Sequence, residues 1–132
     1  MVIDYRKLND ITVRDAYPLP NMEALLEIAR RAKVFSKFDL KSAYNLIRIQ
    51  PEDKWKTAFV TPWGLFQFTV MHYGFVNAPA CLQRFMDHVL GPMINREEGA
   101  GGRVSVYMDD TGSFAKDNPE AVTTNQEILR RF

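Results

Sequence analysis

The stretch "RVSVYMDDTGS", residues 103–113, decides how the rest of the chain is read. Val104, Val106 and Met108 alternate as on a half-buried strand, and the run ends in two adjacent carboxylates, Asp109 and Asp110. Thr111 and Gly112 follow. Aspartates beside a glycine suit a hairpin turn, because Asp bonds its own backbone and Gly accepts positive φ. A metal site is the other reading. Two like charges about 4 Å apart repel by roughly 1–4 kcal/mol at realistic dielectrics, and a divalent cation relieves that. Mg²⁺ takes hard oxygen ligands, commonly one or two carboxylates together with substrate phosphates. A site for two ions needs a third carboxylate from elsewhere in the chain.

The 132 residues suggest one domain by length, and 46% apolar with 25% charged residues is ordinary globular composition. A net charge of +1 conceals a split. Residues 30–56 carry eight Lys or Arg against three acids, whereas residues 87–120 carry seven acids against three basic residues. That asymmetry suits a polyanion held near a metal centre, and it equally suits a mixed solvated surface. Cys81 is the sole cysteine and His72 and His88 the sole histidines, which argues against a disulfide framework or a structural zinc site. No apolar run reaches a membrane span and no signal-peptide layout is visible, so no membrane partner is expected and the chain reads as soluble and intracellular.

Asn21 can cap a helix through Leu25, Leu26, Ile28 and Ala29, with Arg30, Arg31 and Lys33 at its C-terminal end. Val34–Phe38 reads as a short strand ending at Asp39. "KSAYNLI" begins either a helix or a tight turn. "KTAFVTPWGLFQFTVM" predicts a hairpin turning at Thr61–Gly64, with Phe66, Phe68 and Val70 on one buried face. "NAPACLQRFMDHVLGP" predicts a helix capped by Asn77 and ended by Gly91 and Pro92, burying Leu82, Phe85, Met86, Val89 and Leu90. "NREEGAGG" then reads as a polar loop. The order helix, strand, hairpin, helix, strand, turn, strand predicts an α+β fold with helices packed on a largely antiparallel sheet. No GxxxxGK[ST] phosphate loop occurs.

Asp39 is the candidate third carboxylate, since it ends a strand as Asp109 does. Capping the segment after it is an equally good use of the same residue. Three carboxylates from two strand ends would suit a pair of Mg²⁺ ions in phosphoryl transfer.

"VIDYRKLN", "DAYPLP", "VFSKFDLKSAYNLIRI", "TAFVTPWGLFQFTVM", "GFVNAPACLQRFM" and "YMDD" occur in the order found in reverse transcriptases. The wording is most similar to gypsy-type long-terminal-repeat retrotransposons, and the resemblance runs from Val2 to about Ala115. It implies the palm of a right-hand polymerase with part of the fingers, a fragment of a polyprotein truncated at both ends. It implies RNA-directed DNA synthesis with two Mg²⁺ ions, Mn²⁺ substituting. The implied partners are an RNA or DNA template with annealed primer, deoxynucleoside triphosphates and the rest of the polyprotein.

The resemblance also implies roles for particular residues. Asp39 and Asp109 would bind both metals, Asp110 would complete the catalytic triad, and the Leu40 carbonyl would serve a metal. Tyr44 matches the aromatic beneath the incoming sugar that excludes a 2′-hydroxyl, with core packing as its plainer use. Tyr73, Gly74, Tyr107 and Met108 fall in the nucleotide pocket. Asp4 and Arg6 fall in a fingers segment near the template. Gln83 and Arg84 either approach the template or form the wet face of their helix. An inactive relic that only binds nucleic acid or protein is the alternative function, and an RNA-templated RNA polymerase palm shares the same acidic pattern.

Overall fold

The computed structural model describes residues 3–94, 96 and 101–132. The chain forms two compact units, each built from two separate stretches: residues 1–16 with 41–82, and residues 17–40 with 83–132. Length alone suggested one domain. The chain instead leaves the first unit after Ala16 and returns to it at Lys41.

The second unit carries a three-stranded antiparallel sheet in the order β1-β5-β4, where β1 is Val34–Asp39, β4 is Arg103–Tyr107 and β5 is Asp110–Ala115. Strand alternation divides its side chains between two faces. On the inner face Val104, Val106, Thr111, Ser113 and Ala115 are buried. Helix α4, Asn118–Arg131, packs against β1 and β5. Asn125 of α4 joins the two strands by donating to Ser36 Oγ at 2.8 Å and accepting from Ser113 Oγ at 2.6 Å. Met86, Leu90, Met93 and Ile128 complete this core, each wholly buried. Helix α2, Met22–Arg30, begins as expected, with the Asn21 side chain accepting from Glu23 N–H at 2.9 Å.

The first unit holds helix α1, Arg6–Ile11, 3-10 turns at Ala43–Leu46 and Pro51–Thr57, and a hairpin of β2 (Phe59–Thr61) with β3 (Gly64–Phe66). The open choice at "KSAYNLI" thus resolves as a single 3-10 turn.

Three expectations are corrected. The β3 arm stops at Phe66, which is 48% exposed, so Phe66, Phe68 and Val70 do not form a buried face. Phe59 instead lies against Phe66 and Phe68 in a partly open aromatic cluster. Helix α3, Ala78–Ile94, runs past Gly91 and through Pro92. Burial of Met93 outweighs the break that Pro92 would impose on an exposed helix. The Asn77 side chain does not cap α3. It accepts from Asp15 N–H at 3.0 Å and donates to the Val13 carbonyl at 2.9 Å, pinning the incoming strand-like segment.

Two helices lay unread in the sequence. Helix α1 is short, with no side-chain cap at Tyr5. Helix α4 is capped by Asp117, whose Oδ1 accepts from Glu120 N–H at 2.9 Å, and Glu120 reaches back past the cap to accept from Lys116 N–H at 2.6 Å, a variant of the capping box. The expected loop at 95–102 falls mostly outside the described residues.

Candidate active site

Register brings the carboxylates together. Asp39 and Asp110 are direct cross-strand partners in the β1–β5 pair, so they share the outer face of the sheet. Lys37 and Gly112 are the next pair on that face, followed by Phe35 and Phe114, whose rings meet edge to face at 6.0 Å. Gly112 keeps the middle open: a Cβ there would lie 2.9 Å from the Phe114 ring and 3.2 Å from Ser105 Oγ.

Asp109 sits in the two-residue turn that links β4 to β5, with Tyr107 and Asp110 paired across it. Leu40 N–H donates to the Asp109 carbonyl at 3.2 Å, tying the end of β1 to the turn. The hairpin and acidic readings of "YMDD" are therefore one feature, since the turn is what displays the charges. Met108 occupies the turn with φ +55°, a left-handed conformation that is an outlier for a bulky side chain. Positive φ at the first central position is what a type II′ hairpin requires, usually met by glycine. Ser42, three residues after Asp39, has φ +56°, and these two are the non-glycine residues with positive φ among those described.

Lys37 answers part of the negative charge. Its Nζ lies 2.9 Å from Asp110 Oδ1, and the pair is largely exposed. The hydrogen bond to Asp110 raises the Lys37 pKa above its ordinary value, assisted by the charges of Asp110, Asp39 and Asp109. All three carboxylates thus act on one ammonium group. Among the described residues no three Asp, Glu, His or Cys side chains are already drawn together as a cation cage. The chemistry of these side chains nevertheless fits a hard divalent ion, since Asp39, Asp109 and Asp110 are all oxygen donors and all three act on the Lys37 ammonium.

The expected nucleotide-pocket residues Tyr44, Tyr73 and Gly74 lie in the first unit. The Tyr44 and Tyr73 rings meet at 4.7 Å, tilted by 60°. Tyr73 is 54% exposed. Gly74 has φ +99°, which explains glycine there. Asn9, which the sequence did not single out, holds this loop by donating to the Gly74 carbonyl at 2.7 Å and accepting from Val76 N–H at 2.9 Å. Tyr5 backs it by packing on Phe75 at 4.5 Å. His72 stacks on Phe68 at 4.6 Å.

Asp4 and Arg6 bond one another at 2.6 Å on the surface, and the Arg6 guanidinium holds the Asp4 carboxyl down at about 2. Arg84 lies over the Tyr17 ring at 4.7 Å. Gln83 corrects the expectation made for it. It is wholly buried, so its side chain is on neither a template-facing nor a wet surface.

The sequence pattern described as "Reverse transcriptase (RNA-dependent DNA polymerase)" matches residues 1–132. The chain belongs to this family. It is 40% identical over 132 residues to the Transposon Tf2-3 polyprotein of Schizosaccharomyces pombe, a match that spans all of this chain and 10% of that protein. Its fold is similar to that of the native Prototype Foamy Virus Protease-Reverse Transcriptase, with a TM-score of 0.78, 26% identity, and coverage of 98% of this chain and 16% of the other. A foamy viral protease-reverse transcriptase dRH in complex with double-stranded DNA superposes with a TM-score of 0.77 at 25% identity, over 99% of this chain and 21% of that one. The α+β architecture with an antiparallel sheet is thus that of a reverse transcriptase. The chain spans about a tenth of the curated relatives it matches.

Proposed function

We propose that this chain is the palm, with part of the fingers, of a gypsy-type retroelement polymerase that extends a primer 3′-hydroxyl with deoxynucleoside triphosphates on an RNA or DNA template. The observation that carries the reading is the register pair Asp39–Asp110 with Asp109 in the adjoining turn, three carboxylates at one end of a sheet. A foamy viral neighbour in complex with double-stranded DNA supports a nucleic-acid partner. Strained backbone within three residues of Asp39 and next to Asp109 supports a functional site as well, because such strain persists where surrounding structure and function demand it.

In this reading Asp39, Asp109, Asp110 and the Leu40 carbonyl would hold two Mg²⁺ ions. Bound there, the ions supply activation of the primer hydroxyl and charge neutralisation at the triphosphate and leaving pyrophosphate. The chain's part is to hold like charges close and fixed. The β1–β5 ladder sets the spacing of Asp39 and Asp110, and the Leu40–Asp109 bond fixes the turn against β1. Lys37 stabilises the face when no substrate is present and must yield Asp110 to a stronger cation. Tyr44, braced by Tyr73, serves as the sugar gate, and Gly74 lets the backbone approach the nucleotide.

Primer extension on an RNA template with Mg²⁺ or Mn²⁺, comparing the chain with Asp109→Asn, tests the reading. Extension that is lost in the variant is expected. Extension that survives it overturns the assignment of the metal site.

A further inference from the structure

Gln83 is the one fully buried amide on α3, and it bonds the edge of β4, the turn beyond it and Asp87 on its own helix. Its Oε1 accepts from Met108 N–H at 2.8 Å. Its Nε2 donates to the Val106 carbonyl at 3.4 Å and to Asp87 Oδ1 at 2.9 Å. Strand β4 is an edge of its sheet, with β5 on one side only. Gln83 therefore serves β4 as a substitute for a neighbouring strand, bonding one carbonyl and one amide two residues apart.

The orientation of the amide is determined by its partners. A carboxylate accepts and a backbone N–H donates, so Nε2 must face Asp87 and Oε1 must face Met108. Asp87 is itself fixed from its other oxygen, Oδ2, which accepts from Tyr17 Oη at 2.7 Å. That bond raises the Tyr17 pKa above its ordinary value, with burial and the Asp87 charge adding to it. The chain of contacts runs Tyr17 to Asp87 to Gln83 to Met108, and it ends on the residue held at φ +55°. A side chain as large as methionine does not stay in that region without a restraint.

We propose that Gln83, oriented by Asp87, is a positioning residue that holds Met108 in its left-handed conformation and thereby sets Asp109 at the strand tip. This rests on the reading of Asp109 as a metal ligand. Gln83 touches neither substrate nor ion in this role. Burying an amide is unfavourable unless its partners are met, which is why the site needs Asp87 as well as the turn.

Two measurements on the chain separate this from simple core packing. The first is hydrogen exchange at Met108 N–H in the absence of metal. Gln83→Leu, which keeps the volume but removes the acceptor, is expected to lower protection there by roughly tenfold, about the worth of one buried hydrogen bond. The second is Mn²⁺ affinity, expected to weaken by a similar factor. Met108→Gly introduced into Gln83→Leu then restores the affinity, because glycine adopts positive φ without strain. A merely structural Gln83 gives no such rescue. Asp87→Asn, which leaves the core intact and releases the amide orientation, should shift both readouts in the same direction by less. Unchanged Met108 protection in both single variants, or failure of the glycine to rescue, overturns the proposal. If Asp109→Asn binds Mn²⁺ as tightly as the parent, the metal reading fails instead, and exchange at Met108 still reports on the restraint.

Discussion

Asp39→Asn is expected to act in opposite directions with and without metal. Asp39 faces Asp110 across the strand pair, and Asp109 lies in the adjoining turn. Side chains directly opposite have Cβ atoms about 4.5–5.5 Å apart, which puts the carboxylates on the order of 6 Å from each other. At a water-like dielectric one such pair repels by about 0.7 kcal/mol, and at an effective dielectric of 20 by about 3 kcal/mol. The water-like end applies, because Asp39 is exposed and the Asp110 side chain is 49% exposed. Asp39 meets two carboxylates and one ammonium, a net charge of −1, so removing its charge relieves about 0.5 kcal/mol at low salt. In EDTA the variant should melt about 1–3 °C above the parent. Saturating Mn²⁺ should reverse the order. An ion at 100 times its Kd stabilises the parent by about 2.7 kcal/mol, worth roughly 5–10 °C, while the variant gains little. Thermal melts by circular dichroism in EDTA and in Mn²⁺ read both signs from two proteins. A variant that melts lower in EDTA, or that gains as much from Mn²⁺ as the parent, refutes the electrostatic account of the site.

Tyr44→Ala, placed in the intact polyprotein polymerase, is expected to raise ribonucleotide incorporation relative to deoxyribonucleotide by about tenfold or more. Unchanged sugar discrimination in single-nucleotide extension would remove Tyr44 as the gate. Glu127 gives a pH test away from the site. Its hydrogen bond to Arg96, 2.7 Å long and partly buried, lowers its pKa below the ordinary 4.5. A depressed carboxyl contributes stability that is fully present above 4.5 and lost as pH falls through the folded-state value. The melting difference between the parent and Glu127→Gln should therefore be full near neutral pH and shrink in acid, and a difference that grows in acid contradicts the pairing.

Much of the candidate site's placement was legible because its chemistry is local. Two carboxylates after an alternating strand announce a turn and a charge problem, and "FSKFD" presents a third acid at another strand end. What sequence could not supply is register. A shift of one residue between β1 and β5 would move Asp39 to the opposite face from Asp110, and no pattern in either segment excludes that slip. Gln83 was misread for a related reason. Its neighbours Leu82 and Met86 mark the buried stripe of α3, and an amide on the margin of that stripe looks solvated until the partners that satisfy it are seen. Helix α4 was missed although its signal was present, since Asp117, Pro119 and Glu120 are sufficient to open a helix. The division into two units had no such signal, because the chain crosses between them without a linker of distinctive composition.

The features that look like faults in the fold lie close in sequence to the acids. Like charges face each other where sheets ordinarily place opposite ones, and a methionine holds a conformation suited to glycine. Each would be selected against for stability alone, and each has a local support: Lys37 for the charge, Gln83 with Asp87 for the turn. Supports of that kind would not accompany an accidental defect. They fit the proposed metal site, a face that folds without cations and would be completed by them. On this argument the Asp39→Asn melt and the Met108 exchange experiment probe one design from two sides, the first by relaxing the charge and the second by relaxing the backbone that presents it.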